Sequence, residues 1–273
     1  MDPYRIYRDQ WAKALAMQAT ATNYTTFVAM PFHEHFSYRS RDILCTVIGA
    51  AVDEANHRAD LRRRFARPER VRPRGASVIS DEIITGILDS HFFLADLSFE
   101  NAGVLLETGI ALALKPARQI ILITQGSHDE LHFDVRNNHV ICYNPTGALT
   151  EIADAFVGAA RHFEEQVEHH IGAVKRRLSP DAIVTLNSYG QMHRLHPGLS
   201  LHAGNRGPRF QDADGVARFD AATRELRDRD LLWTDYAVGA IPGGDAYGMH
   251  ATELGWAVIE NMWPELRRVP PAT

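Results

Sequence analysis

The sequence predicts an α/β fold: an open parallel sheet with helices on both faces, followed by a smaller C-terminal module of mixed α and β structure. Three observations predict it. Short apolar segments rich in β-branched and aromatic residues, TTFVAM (25–30), HFFLAD (91–96), RQIILIT (118–124) and HVICY (139–143), alternate with stretches of helical period, the rhythm of strands joined by crossover helices. A long amphipathic segment from about Thr150 to Val174 closes that unit. From Lys175 the texture changes: KRRLSP reads as a linker and LHPGLSLHAGNRGPRFQDADG (195–215), rich in Gly, Pro and Asp, as a long loop, which marks a second module.

Composition bounds the function classes. With 273 residues, 45% apolar and 23% charged, the chain is an ordinary globular protein. A net charge of -5 argues against wholesale electrostatic binding to nucleic acid. Cys45 and Cys142 both sit in apolar segments, which fits a reducing cytoplasm and no disulfide framework. MDPYRIYRDQW at the N-terminus has no apolar signal core. No apolar run approaches the roughly 18 residues that a membrane helix needs. The expectation is a cytoplasmic protein that does not enter membranes.

Taken in order, residues 1–24 predict a helical extension with Trp11, Leu15 and Met17 available to dock. TTFVAM is the first buried strand, ended by Pro31. Residues 40–58 carry a helical period through Ile43, Val47, Ala50 and Ala51. LRRRFARPERVRPRG (61–75) reads as a solvated basic loop, favoured over a phosphate-binding lid. SDEIITGILDS (80–90) opens a helix with Ser80 as N-cap and two acids in its first turn. HFFLAD, the helix NAGVLLETGIALALK (101–115), IILIT and HVICY complete the sheet. The expected domains are a helical extension at 1–24, an α/β domain at 25–174 and a small module at 175–273.

Glu107 is the anomaly of this pattern. It is the only charged side chain of its helix before Lys115 and shares a face with Val104, Ala111 and Leu114. A helix apolar nearly all round predicts burial in a core. A carboxylate there costs several kcal/mol unless it is paired, hydrogen-bonded or opens into a cavity. The residues alone leave two readings: a buried Glu satisfied by backbone amides, or the wall of a reactive pocket. Open parallel sheets bind ligands beyond the carboxyl ends of their strands, where Phe32, Asp96 and the start of the Glu107 helix fall together.

FVAMPF, SDEIITGILDSHFFLADLSFENAGVLLETGIALALK, IILIT and HFDVRNNHVICY together resemble the nucleoside 2-deoxyribosyltransferase-like superfamily, relatives of the TIR NAD-cleaving domains. The resemblance covers about residues 25–172, and its most specific part is ADLS–N–GV–E–G–AL. It implies a flavodoxin-like sheet and cleavage of the bond between base and sugar in a nucleoside, nucleotide or NAD. No cofactor is implied, and no metal. Glu107 matches the glutamate that attacks the anomeric carbon or stabilises the cation formed there, a role that a preformed buried negative charge suits. Asp96 is its expected acidic partner, binding the departing base or protonating it. Ser98, Asn101 and Gly103, at the start of the helix, are expected to hold sugar hydroxyls or a phosphate, with N-capping as the equal alternative. Many transferases of the family carry an acid where Asn101 stands, and that departure turns the expectation from transfer toward hydrolysis. Phe32 is a candidate to stack on the base, Tyr24 and Tyr38 are candidate aromatic hydroxyls, and Asp81 is a further candidate contact. HEH (33–35) and HFEEQVEHH (162–170) lack the HExxH zinc spacing.

The C-terminal module ends as helix, strand, glycine turn, strand and helix, and resembles a winged-helix domain. Lys175 to Thr273 holds twelve basic and twelve acidic residues, so DNA binding is not favoured over protein contact. The combination also resembles effector subunits of bacterial retron antiphage systems. The expectation is a homo-oligomer or docking onto a larger complex through residues 175–273. A competing class stays open: a non-enzymatic nucleotide sensor whose winged helix regulates DNA or a partner.

Overall fold

The structure, a computed structural model, describes residues 13–31, 38–58, 60–70, 79–127, 131, 135, 138–144, 149–196, 201–202, 210–236 and 247–266. The chain divides into two compact units. One comprises Met1–Ala14 and Ala21–Gln166, the other Leu15–Thr20 and Val167–Thr273. The division therefore falls inside a helix rather than at the expected boundary after residue 174.

In the first unit the strands are β1 (Asn23–Tyr24), β2 (Thr26–Ala29), β3 (Arg64–Phe65), β4 (Glu69–Arg70), β5 (Phe92–Asp96), β6 (Ile120–Thr124) and β7 (Val140–Cys142). Five of them form one parallel sheet in the order β4-β2-β5-β6-β7. Numbered by their appearance in the chain, these five lie 2-1-3-4-5, a doubly wound order whose switch point lies between β2 and β5. The basic segment expected as a loop supplies β4 as the edge strand of this sheet, and β3 pairs with β1 in a separate two-stranded ribbon. Each is only two residues long, too short for periodicity to reveal.

The longer helices described in this unit are α1 (Gly49–Arg58), α2 (Ile79–Asp89), α3 (Ala102–Leu114) and the first part of α4 (Leu149–Lys175), which continues past the division at Gln166; the chain enters α1 through a π-helical stretch, Ile43–Ile48. Because successive strand residues point to opposite faces, the sheet is lined twice. Phe27, Phe93, Ala95 and Leu122 pack with Ile83 and Ile87 of α2 and with Val104 and Ala111 of α3. The other side is aromatic. Phe92 meets Tyr24, Phe65 and Phe163, while Phe65 meets Phe156 edge-on at 5.2 Å. Each fully buried side chain of this size contributes on the order of 1.5–3 kcal/mol. α2 begins at Ile79, so Ser80 lies inside it and not at the expected N-cap position.

α3 departs from the burial that its composition predicts. Val104, Thr108 and Ala111 are buried, but Ala102, Leu106, Gly109 and Ala113 form an exposed stripe, with Leu106 67% accessible. A helix resting on a sheet buries one side only, and apolar sequence alone does not supply a second neighbour.

The second unit contains α5 (Pro180–Leu195), β8 (Leu201–His202), α6 (Ala213–Asp228), β9 (Leu232–Tyr236), β10 (Tyr247–Ala251) and α7 (Glu253–Met262). Its sheet is antiparallel in the order β8-β10-β9. Leu15, from the N-terminal helical segment, is buried. KRRLSP is not a linker: Lys175 ends α4, and the Ser179 side chain caps α5 by accepting from the Ala182 N–H, with Pro180 in the first turn. Asp212 and Thr252 cap α6 and α7 in the same manner. Among the described residues no helix is long and apolar enough to cross a membrane.

Candidate active site

A crevice of about 620 Å³ opens at the carboxyl ends of β5 and β6, lined by residues 97–100 and 124–126 together with Leu131. That volume is within the range of small-molecule sites. Its form follows from the turn between β5 and α3. Leu97 N–H donates to the Ile123 carbonyl at 2.8 Å, tying the start of the turn to β6. Phe99 and Glu100 then adopt φ of 63° and 46°, left-handed values that are uncommon away from glycine and costly for a bulky residue. Asn101 ends the turn and caps α3, its Oδ1 accepting from the N–H groups of Gly103 and Val104 at 3.0 and 3.2 Å.

Asp96 holds this turn in place. It is 0% accessible, and its carboxylate receives four hydrogen bonds. Ser98 donates through its backbone N–H at 3.1 Å and its hydroxyl at 2.5 Å, both to Oδ1. Tyr38 and Tyr143 donate their hydroxyls to Oδ2 at 2.8 and 2.7 Å. Burial pushes the Asp96 carboxyl above its ordinary value, against the pull of the hydrogen bonds from Ser98, Tyr143 and Tyr38. Burial likewise raises the Tyr143 hydroxyl, with the charge of Asp96 adding to it. The network extends to β6, where Gln125 N–H donates to the Ser98 hydroxyl oxygen at 2.7 Å. Asp96 therefore acts on the crevice through the turn that it fixes, since all its acceptor positions face protein donors.

The expected site residues separate into distinct roles. Ser98 is buried and lines the crevice, joined directly to Asp96. Asn101 and Gly103 form the N-terminus of α3, and the Asn101 carbonyl is committed to the cap. Glu107 is half-buried on the flank of the buried stripe of α3. It stands six residues, about 9 Å of helix rise, beyond Asn101, and is not among the described residues lining the crevice. Asp81 is exposed in the first turn of α2, suited to its helix dipole. Phe32 and HEH lie outside the described residues. Of the two candidate aromatic hydroxyls, Tyr38 reaches Asp96. Tyr24 instead donates to Glu164 at 2.7 Å, within the aromatic side of the core.

Tyr143, Phe99, Glu100 and Gln125 escaped the sequence reading. Tyr143 follows β7 at the same carboxyl edge as Asp96, so the strand-end rule held a signal for it. Nothing local in SFENAG announces a left-handed Phe. Among the described residues no group of three or more His, Cys, Asp or Glu side chains is placed to hold a metal ion.

Fold and crevice together define a parallel α/β protein with a crevice beyond the carboxyl ends of β5 and β6, one strand from the topological switch point between β2 and β5. Comparison with protein-family models, with curated proteins and with solved structures finds no match to this chain.

Proposed function

We propose that the first unit is an N-glycosidase that hydrolyses the base–sugar bond of a nucleoside, nucleotide or NAD. The observation that carries this reading is the crevice itself. A strained turn, fixed by a buried carboxylate, presents an aromatic ring and a carboxylate at the edge where doubly wound sheets bind ligands. The 2-1-3-4-5 strand order supports the flavodoxin-like fold that the resemblance implies. Glu107 is the proposed catalytic carboxylate. It offsets positive charge on the sugar as the bond electrons leave with the base, and water then adds at the anomeric carbon. Asp96 is a positioning residue in this reading, set to orient Ser98 and the Phe99–Glu100 turn.

A second reading is supported by a specific observation. Asp96 is saturated by donors and Glu107 is not part of the described crevice lining, which suits a nucleotide-sensing regulator that binds without cleaving. For the second unit, the three-stranded antiparallel sheet with a β9–β10 hairpin beside capped helices supports the winged-helix-like reading. Its balanced charge favours a protein partner or self-association over DNA. A cytoplasmic antiphage effector is the biological setting that the resemblance suggests.

Incubation with a panel of nucleosides, deoxynucleotides and NAD, followed by chromatography for free base, tests the enzyme. Base release by the wild type and its loss in Glu107→Gln, with thermal stability kept, is the expected result. Equal release by both proteins removes Glu107 from the mechanism, and no release with retained nucleotide binding establishes the sensor.

A further inference from the structure

Phe99 is a large apolar side chain that the fold goes out of its way to expose. The residue is 49% accessible, with its backbone at φ 63° and ψ 22°. Such a conformation persists for a bulky residue only where its surroundings over-determine it. They do so here: Asp96 grips Ser98 on one side of the turn, and the Asn101 cap fixes the other. The buried Tyr38 ring meets the Phe99 ring edge-on at 5.4 Å, while its hydroxyl is bound to Asp96. Backbone strain and a braced neighbour are thus both spent on presenting one aromatic ring at the crevice wall.

Glu100, the next residue, shares the left-handed backbone and also lines the crevice. Among the described lining residues it is the only formally charged one, the others being Leu97, Ser98, Phe99, Thr124, Gln125, Gly126 and Leu131. An aromatic face selects flat rings in general. An aromatic face beside a carboxylate, with no cation among those residues, selects flat rings that carry positive charge. It equally disfavours a phosphate at the same spot.

We propose that Phe99 and Glu100 form the recognition element for a planar aromatic cation joined to a sugar, the chemistry shared by an N-ribosylated pyridinium and an N7-alkylated purine nucleoside. This deepens the proposed reading of the crevice as the base–sugar site and rests on it. A cationic base is also a good leaving group, because it departs neutral when the bond electrons return to its ring nitrogen.

The test is a calorimetric titration of the Glu107→Gln protein, so that turnover does not intrude. The probes are nicotinamide riboside against its uncharged dihydro form, and 7-methylguanosine, under mildly acidic conditions that keep its ring cationic, against guanosine. The cationic member of at least one pair should bind roughly 10-fold tighter, and Glu100→Gln should reduce that preference to about 2-fold or less. Which pair shows the preference identifies the source of the cation. Phe99→Gly should weaken both members of that pair about 10-fold while holding or raising the thermal midpoint, because glycine relieves the left-handed backbone. Phe99→Leu provides the same binding readout with the backbone strain retained. Equal affinity within both pairs, or undiminished binding by Phe99→Gly or Phe99→Leu, overturns the proposal. Charge preference without base release by the wild type sinks the hydrolase and leaves this inference standing. Base release without charge preference does the reverse.

Discussion

Tyr38 and Asp96, 58 residues apart in the chain, meet in the interior through a 2.8 Å hydrogen bond from the phenol hydroxyl to Oδ2. Tyr143 reaches the same oxygen from the far side of the sequence at 2.7 Å. Two tyrosines on separate segments thus converge on one buried carboxylate, which in turn grips Ser98 and the turn lining the crevice.

Removing either phenol hydroxyl should therefore affect both stability and the site. Tyr38→Phe and Tyr143→Phe each leave Oδ2 one donor short in a dry environment, at a cost of about 1–3 kcal/mol. Asp96→Asn should cost more than either, because its amide NH₂ would face groups that are themselves donors. Urea denaturation of the three variants measures this. A loss under about 0.5 kcal/mol for Asp96→Asn would show that the network does not hold the turn.

Lys115 supplies a pH-dependent prediction. Burial pulls its ammonium down to about 7, opposed only by the charge of Asp89, and Nζ donates to the Ser90 carbonyl. The unfolded chain then binds more protons than the folded one between about pH 7 and the ordinary lysine range, so stability should rise with pH across that window. Below it, the full cost of a buried charge is present. Lys115→Met removes the titration, so the stability difference between wild type and variant should shift in favour of wild type from pH 7 to pH 10. A difference independent of pH would rule out a desolvated Lys115.

The orientation of α3 can be read from paired substitutions. Leu106 is 67% accessible and Ala111 is fully buried against the sheet. Leu106→Glu should change stability by no more than about 0.5 kcal/mol, whereas Ala111→Leu should cost about 1–3 kcal/mol by overpacking. Thermal melts showing the reverse order would mean that the helix presents its other face to the core.

Gly255 is fixed by contact rather than by backbone angle. A Cβ there would lie 2.0 Å from the Leu231 carbonyl oxygen, at the point where Thr252 caps α7 and its own N–H donates to that same carbonyl. Gly255→Ala should destabilise by more than about 2 kcal/mol, because a backbone atom cannot move aside as a side chain can. Calorimetry or denaturant unfolding checks this, and a neutral result would place α7 farther from Leu231.

What the sequence determined by itself was the local and periodic content. The apolar runs at TFVA, FFLAD, IILIT and VIC are strands, and the period of Leu149–Lys175 is a helix, because burial on a sheet or along one helix face imposes repeats that composition records. The same reasoning found the carboxyl edge of the sheet and placed Asp96 and Ser98 there. The start of α5 carries a local cap signal in Ser179, Pro180 and Asp181, which the reading of KRRLSP as a linker passes over. The two-residue strands β3 and β4 were not legible, since two residues carry no period. Only the tertiary structure decided which side of α3 is covered, because apolar residues state a preference for burial and not the presence of a neighbour. It alone decided that Asp96 faces inward to Tyr38 and Tyr143, a pairing across 58 and 47 residues that no local pattern encodes. The left-handed Phe99 belongs to the same class. Its conformation is unfavourable locally; contacts distant in the chain, from Ile123, Gln125, Tyr38 and Tyr143, hold the Asp96–Ser98 side of the turn, and the Asn101 cap holds the other.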